Sequence, residues 1–331
     1  MARTVVDVHA HAMPMSLLRW LEGEGLADLS RLEDHIVVID PRVSGVGAGA
    51  PLPLPDSMFD NAVRLAEMAA DAVSHQAISL PPFLMGSTCT DTDLVLELVR
   101  RGNDALAELV ADDESLIGLV GVPVGHPGAE AELRRGLDEL GLAGAAIGSR
   151  GAGKDLDDPV NAPVWSLLAE REVFTFLHPS AMPDPPRMKD FWFPQLVGYP
   201  METAIATARL AFSGVLEANR FPLCLAHGGG CLPSLRGRLD MGWDRKPVAH
   251  TTEVPPSEIF DRLYYDTAVF SPVLLQRLIE DVGAEHVLVG TDYPFDLREK
   301  HPVAAVDTLG LSSEQNRAVL GEVAARLLRI S

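Results

Sequence analysis

The sequence predicts an α/β protein: a distorted (β/α)8 TIM barrel with a small β insertion after strand 1. Three observations predict it. Eight short apolar strands alternate with helices over roughly 290 residues, which is the pattern of a parallel sheet and the size of such a barrel. Four of those strands end in a residue able to bind a metal. No glycine-rich turn follows the first strand, as a dinucleotide-binding open sheet would require. The 331 residues read as one barrel domain, 1–331, with residues 28–56 as the insertion.

The first strand runs from Val5 to His11 and ends in His9-Ala10-His11. Residues i and i+2 of a strand share a face, so the two imidazoles project side by side, about 6–7 Å apart. A short helix follows around Leu17 and Leu18. In the insertion, Ile36–Ile39 is strand-like, and Pro51-Leu52-Pro53-Leu54-Pro55 is incompatible with regular helix. From Asp56 the helical period appears, with Phe59, Val63, Ala66 and Ala69 on the apolar side. Strands are then predicted over 76–80, 116–122, 144–148, 173–178, 223–227, 263–267 and 286–292. Helices are predicted over 91–111, 127–140, 161–171, 201–218, 272–282 and 313–328, with mixed structure over 232–262.

Composition narrows the function. The net charge of −20 disfavours nucleic acid as a partner, because no basic stretch offsets it. A small anionic organic substrate remains compatible with it, since a metal and one or two arginines make a local positive pocket. Cys89, Cys224 and Cys231 are too few and too scattered for a disulfide framework, which fits a reducing cytoplasm. The N-terminus enters the first strand directly, leaving no room for a signal peptide, and no apolar run reaches the ~20 residues of a membrane span. A cytoplasmic protein with no membrane partner is expected.

The strand ends carry the chemistry. His9 and His11 end strand one, His178 strand five, His227 strand six and Asp292 strand eight. In a barrel these ends meet at one rim, where active sites are built. Three imidazoles and a carboxylate with one open position suit a single catalytic Zn2+, and Mn2+ or Fe2+ would tolerate the same set. Residues 148–155, Gly-Ser-Arg-Gly-Ala-Gly-Lys-Asp, nearly match a phosphate-binding loop. Asp155 stands where that loop needs Ser or Thr, so nucleotide binding is rejected and the segment reads as a rim loop.

His9-Ala10-His11, Leu177-His178-Pro179, His227-Gly228-Gly229-Gly230, Gly237-Arg238 and Gly290-Thr291-Asp292-Tyr293-Pro294-Phe295 together resemble the amidohydrolase superfamily. The likeness is to its decarboxylase-rich branch, in particular to the aminocarboxymuconate semialdehyde decarboxylases. It covers the first strand and the chain from about Asp56 onward. The resemblance implies that His9, His11, His178 and Asp292 ligate one metal. It implies that His227, acting with Asp292, relays protons to and from a metal-bound water. That role accords with the lowered pKa of such a water and the basicity of a neutral imidazole. It further implies a homodimer in which Arg238 reaches the substrate carboxylate of the other subunit, with Met182, Trp192 and Phe295 lining the pocket. Arg236 and Arg245 are near enough in sequence to substitute for Arg238.

One departure stands out. A second substrate arginine of the family falls, by spacing, in Pro51–Pro55, which has none; Arg42 is the nearest upstream candidate. The predicted activity is a metal-dependent, non-oxidative decarboxylation of a small unsaturated or aromatic carboxylic acid. The alternatives are a metal-dependent lactone or amide hydrolase, or a hydratase, on the same scaffold. A barrel whose metal is merely structural is a third reading, disfavoured by the retained His227.

Overall fold

The computed structural model describes residues 3–330. Eight parallel strands form one sheet in chain order: β1 Val6–His11, β2 His75–Ser79, β3 Leu116–Gly121, β4 Gly144–Gly148, β5 Thr175–His178, β6 Leu223–Leu225, β7 Tyr264–Asp266 and β8 Val287–Leu288. The ring closes between its ends. Val8 donates to the Val289 carbonyl at 2.8 Å, His11 to Tyr293 at 2.7 Å, and Asp292 to His9 at 2.9 Å. The predicted barrel is present, and its distortion has a local cause. The amide of Val289 donates to the carbonyl of Val319 in the C-terminal segment, so regular pairing in β8 stops after two residues.

Alternation along each strand separates two packing layers. Val120, Ala145, Leu177, Leu225 and Val287 pack outward against helix residues such as Leu133, Trp165, Leu210 and Leu278. Their neighbours Leu119, Ala146, Phe176, Cys224 and Leu288 form a separate cluster on the other face. His178 shares the parity of Phe174 and Phe176, and Asp266 alternates with the outward Tyr265. Strand period alone therefore delivers both polar groups to the inner face.

The helices that cover the sheet are α1 Met15–Gly23, α2 Asn61–Ala70, α3 Thr92–Val110, α4 Ala129–Asp138, α5 Ala162–Glu170, α6 Tyr199–Phe212, α7 Leu232–Arg245 and α8 Pro272–Val282. Side-chain caps start several of them: Asp60 on α2, Asp91 on α3 and Ser271 on α8. The segment predicted as one helix over 201–218 begins earlier, at Tyr199, and breaks at Gly214, whose φ of +79° ends α6 before a further turn.

Between α1 and α2, Ala27–Asp28, Ile36–Ile39 and Pro51–Pro53 form a three-stranded antiparallel sheet. Its buried Leu52, with Leu54, joins Met13, Leu17, Met58 and Leu84 in one apolar cluster. After β4, Arg150–Gly151 and Lys154–Asp155 pair as a hairpin across Ala152 and Gly153, both with positive φ. That turn geometry matches strand twist. Gly151 there packs where a Cβ would lie 2.0 Å from the Val124 carbonyl, so the loop resembling a phosphate cradle is a packed hairpin.

Candidate metal centre

Four side chains converge at the C-terminal rim. One ligand atom from each of His9, His11, His178 and Asp292 lies within 4.8 Å of all the others. His9 Nε2 is 3.1 Å and His11 Nε2 3.4 Å from Asp292 Oδ1. The four groups are buried, and the Nε2 atoms of the three histidines and Asp292 Oδ1 have no hydrogen-bond partner among the described residues. Four orphaned polar atoms aimed at one point would be costly unless something satisfied them. A divalent cation does so, and the donor set fits it.

The opposite nitrogen of each ring explains why Nε2 is free. His9 Nδ1 lies 2.6 Å from Asp266 Oδ2, His178 Nδ1 donates to the Pro179 carbonyl at 2.8 Å, and His11 Nδ1 meets Ser79 Oγ at 3.1 Å. A carbonyl or carboxylate partner keeps the proton on Nδ1 and leaves the Nε2 lone pair for a metal. Burial, then the neighbouring His11 and His9, hold His178 well below the usual imidazole range. Burial also lowers His11. Burial opposes a charge on His9, but the Asp292 and Asp266 carboxylates outweigh it and raise that ring to about 10, so a proton would occupy Nε2 beside Asp292 wherever a cation does not. Burial works against the Asp292 carboxylate as well, yet the histidines around it, His9 foremost, hold it well below the usual carboxylate range.

His227 stands beside the four. Its Nε2 lies 3.6 Å from Asp292 Oδ2, the carboxylate oxygen not shared with His9 and His11. Its ring is 5.2 Å from that of His9 and 5.1 Å from that of His178. The local backbone is unusual: His227 has φ of +56° and the three following glycines are all left-handed. At Gly230 a Cβ would sit 2.1 Å from the Pro200 carbonyl, and at Gly228 2.3 Å from Val269, so both positions need glycine. Asp266 Oδ1 accepts from the Gly228 amide at 2.8 Å. One carboxylate thus orients a ligand histidine and anchors the turn that carries His227.

Asp266 was absent from the sequence-derived candidates, although it too ends a strand. Tyr199 is a second such residue. It begins α6, and its ring lies 6.1 Å from that of His178, edge to face. Burial, reinforced by Asp292, pushes its phenol up to about 12. Arg64 is a third. It is fully buried and donates to the carbonyls of His11 (2.7 Å) and Ser57 (2.8 Å) and to Gln76 Oε1 (2.9 Å), with its guanidinium over the Tyr293 ring. It therefore pins the backbone at His11 and packs beside the residue after Asp292.

The predicted substrate contacts are placed unevenly. The Phe295 ring is 5.4 Å from that of His11 and 6.3 Å from that of Phe83, and both phenylalanines pack against the apolar cluster of the insertion. Met182 is half-buried, its Cβ 3.0 Å from where a Cβ on Gly198 would lie. Trp192 is 52% exposed, in a segment that also presents Phe191 and Leu196 to solvent. Arg238 is exposed on α7 and makes no ion pair or hydrogen bond among the described residues. Its sequence neighbours are engaged: Arg236 with Asp261, and Arg245 with Asp244 at 3.9 Å. Arg42 is held by Asp40 at 3.0 Å on the surface, so it does not replace the arginine missing from residues 51–55.

A closed parallel barrel with a His3Asp cluster at its C-terminal rim is the arrangement of a metal-dependent barrel enzyme. The family model described as Amidohydrolase matches residues 6–330, and the chain belongs to that family. A 2-amino-3-carboxymuconate-6-semialdehyde decarboxylase of Dictyostelium discoideum is 31% identical over 324 residues, 94% of this chain and 88% of the relative. Among solved structures, the 5-carboxyvanillate decarboxylase of Sphingomonas paucimobilis superposes with a TM-score of 0.82 at 25% identity, covering 99% of each chain. A dihydroxybenzoic acid decarboxylase from Polaromonas, solved with bound manganese, shares the fold at a TM-score of 0.78 and 21% identity, covering 99% of this chain and 97% of its own.

Proposed function

We propose that the chain binds one Zn2+ through His9, His11, His178 and Asp292 and uses His227 to move the proton of a decarboxylation. It is a metal-dependent, non-oxidative decarboxylase of a small aromatic or unsaturated acid, as its relatives are. The observation that carries the site assignment is the set of four orphaned ligand atoms with His227 Nε2 at their edge.

When bound, the cation supplies Lewis acidity and offsets the negative charge of an anionic substrate. The chain's own residues do the rest. His227, as imidazolium, delivers a proton from Nε2 to the carbon that bears the carboxylate. The carbon–carbon bond then breaks, its electron pair remains on the organic product, and carbon dioxide leaves. One proton is consumed per turnover, and Asp292 Oδ2 steadies the charged ring before transfer. Phe295 and Phe83 offer a wall against which a flat conjugated acid packs. Residues 51–55, where the family's second arginine falls by spacing, carry no cation, which favours a substrate with one carboxylate over a dicarboxylate.

Arg238 is the unpaired cation best suited to a substrate carboxylate, acting from the second subunit of a homodimer. The exposed side chains of Phe191, Leu196, Met201, Ile205 and Met241 support such a contact, being large apolar groups on α6, on α7, which packs against it, and on the segment that leads into α6. Light scattering at micromolar concentration should give twice the chain mass, and a monomer would remove the cross-subunit role.

The test of the reaction is carbon dioxide release from a panel of hydroxybenzoic and muconate-type acids by protein loaded with Zn2+, Mn2+ or Fe2+. Wild type should release it from at least one, and His227→Ala should not. Hydrolysis of a lactone or amide with no carbon dioxide from any acid would defeat the reading.

A further inference from the structure

The opposite end of the barrel carries a second, differently built cavity. It has a volume of about 390 Å3. Phe221 and Pro222, which precede β6, and Leu263, which precedes β7, help to line it, so it opens at the N-terminal ends of the strands. The metal centre lies at the C-terminal ends of the same strands.

Four arginines line this cavity: Arg220, Arg262, Arg326 and Arg329. None of them forms an ion pair among the described residues. Arg19, Arg64 and Arg238 are the other arginines in that condition, whereas surface arginines such as Arg134, Arg171 and Arg209 all hold carboxylates. In a chain with 47 acidic and 27 basic residues, four unpaired guanidiniums around one cleft are not what random placement gives. Arg220, Arg326 and Arg329 are exposed and Arg262 is half-buried, so the cleft is open to solvent and few protein groups bond these guanidiniums. Arg262 reaches the Leu216 carbonyl only at 3.5 Å, and Arg329 the Arg171 carbonyl at 3.3 Å. Burial and the charge of Arg220 both lower Arg262, against the weaker pull of Glu217 and Glu258. Glu172 is the one acid in the lining, and it forms no ion pair among the described residues. Four like charges around one solvent-facing cleft repel one another, and an anion seated among them relieves that repulsion.

We propose that this cleft is a binding site for a small organic phosphate, distinct from the metal centre. The guanidiniums receive the dianionic head, for which their planar donor forks are suited. Leu216, Phe221 and Leu263 receive an apolar or aromatic body, and the volume is that of a small-ligand site. A phosphate head, rather than a single carboxylate, matches the charge presented by several arginines.

Calorimetry with the metal-loaded full chain tests this, using phenyl phosphate and inorganic phosphate as probes. Phenyl phosphate should bind saturably, and about tenfold more tightly than inorganic phosphate because its ring is buried. The double variant Arg220→Gln/Arg262→Gln should weaken phenyl phosphate by at least about tenfold. It should keep the metal content and phosphate-free decarboxylation rate of wild type. Arg101→Gln, which loses a distant surface pair, should bind as wild type. If the double variant does not fold, Arg329→Gln together with a salt titration replaces it, and affinity should fall in the variant and with rising salt. Absence of saturable binding overturns the proposal. So does equal affinity in wild type and variant, which would place the phosphate on the metal, or equal affinity for the two probes.

Discussion

The two ends of the barrel hold charge in opposite ways, buried and converging at one and facing solvent around a cleft at the other. At the C-terminal rim, His9, His11 and His178 each have one nitrogen fixed by Asp266, Ser79 or Pro179 and the other free. All the free atoms point to one place. At the N-terminal end, four arginines share a cavity with almost no partners of their own. Arg64 shows what a structural cation looks like by contrast: it is fully buried, yet two carbonyls and a glutamine satisfy it. An orphaned polar group is informative when its neighbours are carefully satisfied, because the surrounding chain has spent its hydrogen bonds on holding it in place.

The largest effect expected from breaking this contrast is at the rim. His178→Ala removes one of four ligands, so metal content should collapse and carbon dioxide release fall by about three orders of magnitude. Substitution of a rim residue that retains both would show that the cluster is not the catalytic site. Arg64→Met should be the costliest change to the fold. It strips donors from the buried His11 and Ser57 carbonyls, and unfolding free energy should drop by about 3–5 kcal/mol in denaturant melts. Asp266→Ala should fold but hold zinc about 10–100-fold less tightly in chelator competition, because His9 loses the partner that fixes its tautomer. Unchanged affinity would reduce Asp266 to a packing residue.

Tyr199→Phe should have the smallest effect. Metal content should stay constant, and loss of the phenol beside His178 should raise KM by no more than about tenfold, the size of one hydrogen bond. Burial first, then Asp292, raises this phenol to about 12. The neutral donor form therefore persists until pH approaches that value, and the ratio of variant to wild type should be flat between pH 6 and 9. A ratio that changes across that range would mean the phenol titrates there.

Much of this was legible from the residues. Strand period places His9, His11 and His178 on usable faces, and the strand-end rule points to His227 and Asp292, which the fold brings to the same rim. The same rule could have found Asp266, but a carboxylate that binds a ligand instead of a metal leaves no motif. Tyr199 was hidden because it follows the irregular segment 184–198, where neither period applies. Arg64 lies on a helix, and only the barrel's closure brings it under His11. The arginine cleft was invisible for a related reason. Its four cations come from the ends of separate elements, scattered between residues 220 and 329, in a chain whose overall charge points the other way.

The central claim is that one divalent cation at His9, His11, His178 and Asp292 drives the reaction. Its most direct test is to strip the protein with chelator and titrate Zn2+ or Mn2+ back while following carbon dioxide release. Stripped protein should release none, and recovery should rise linearly and saturate at one equivalent per chain. Full release from metal-free protein, or saturation at two equivalents, would contradict it.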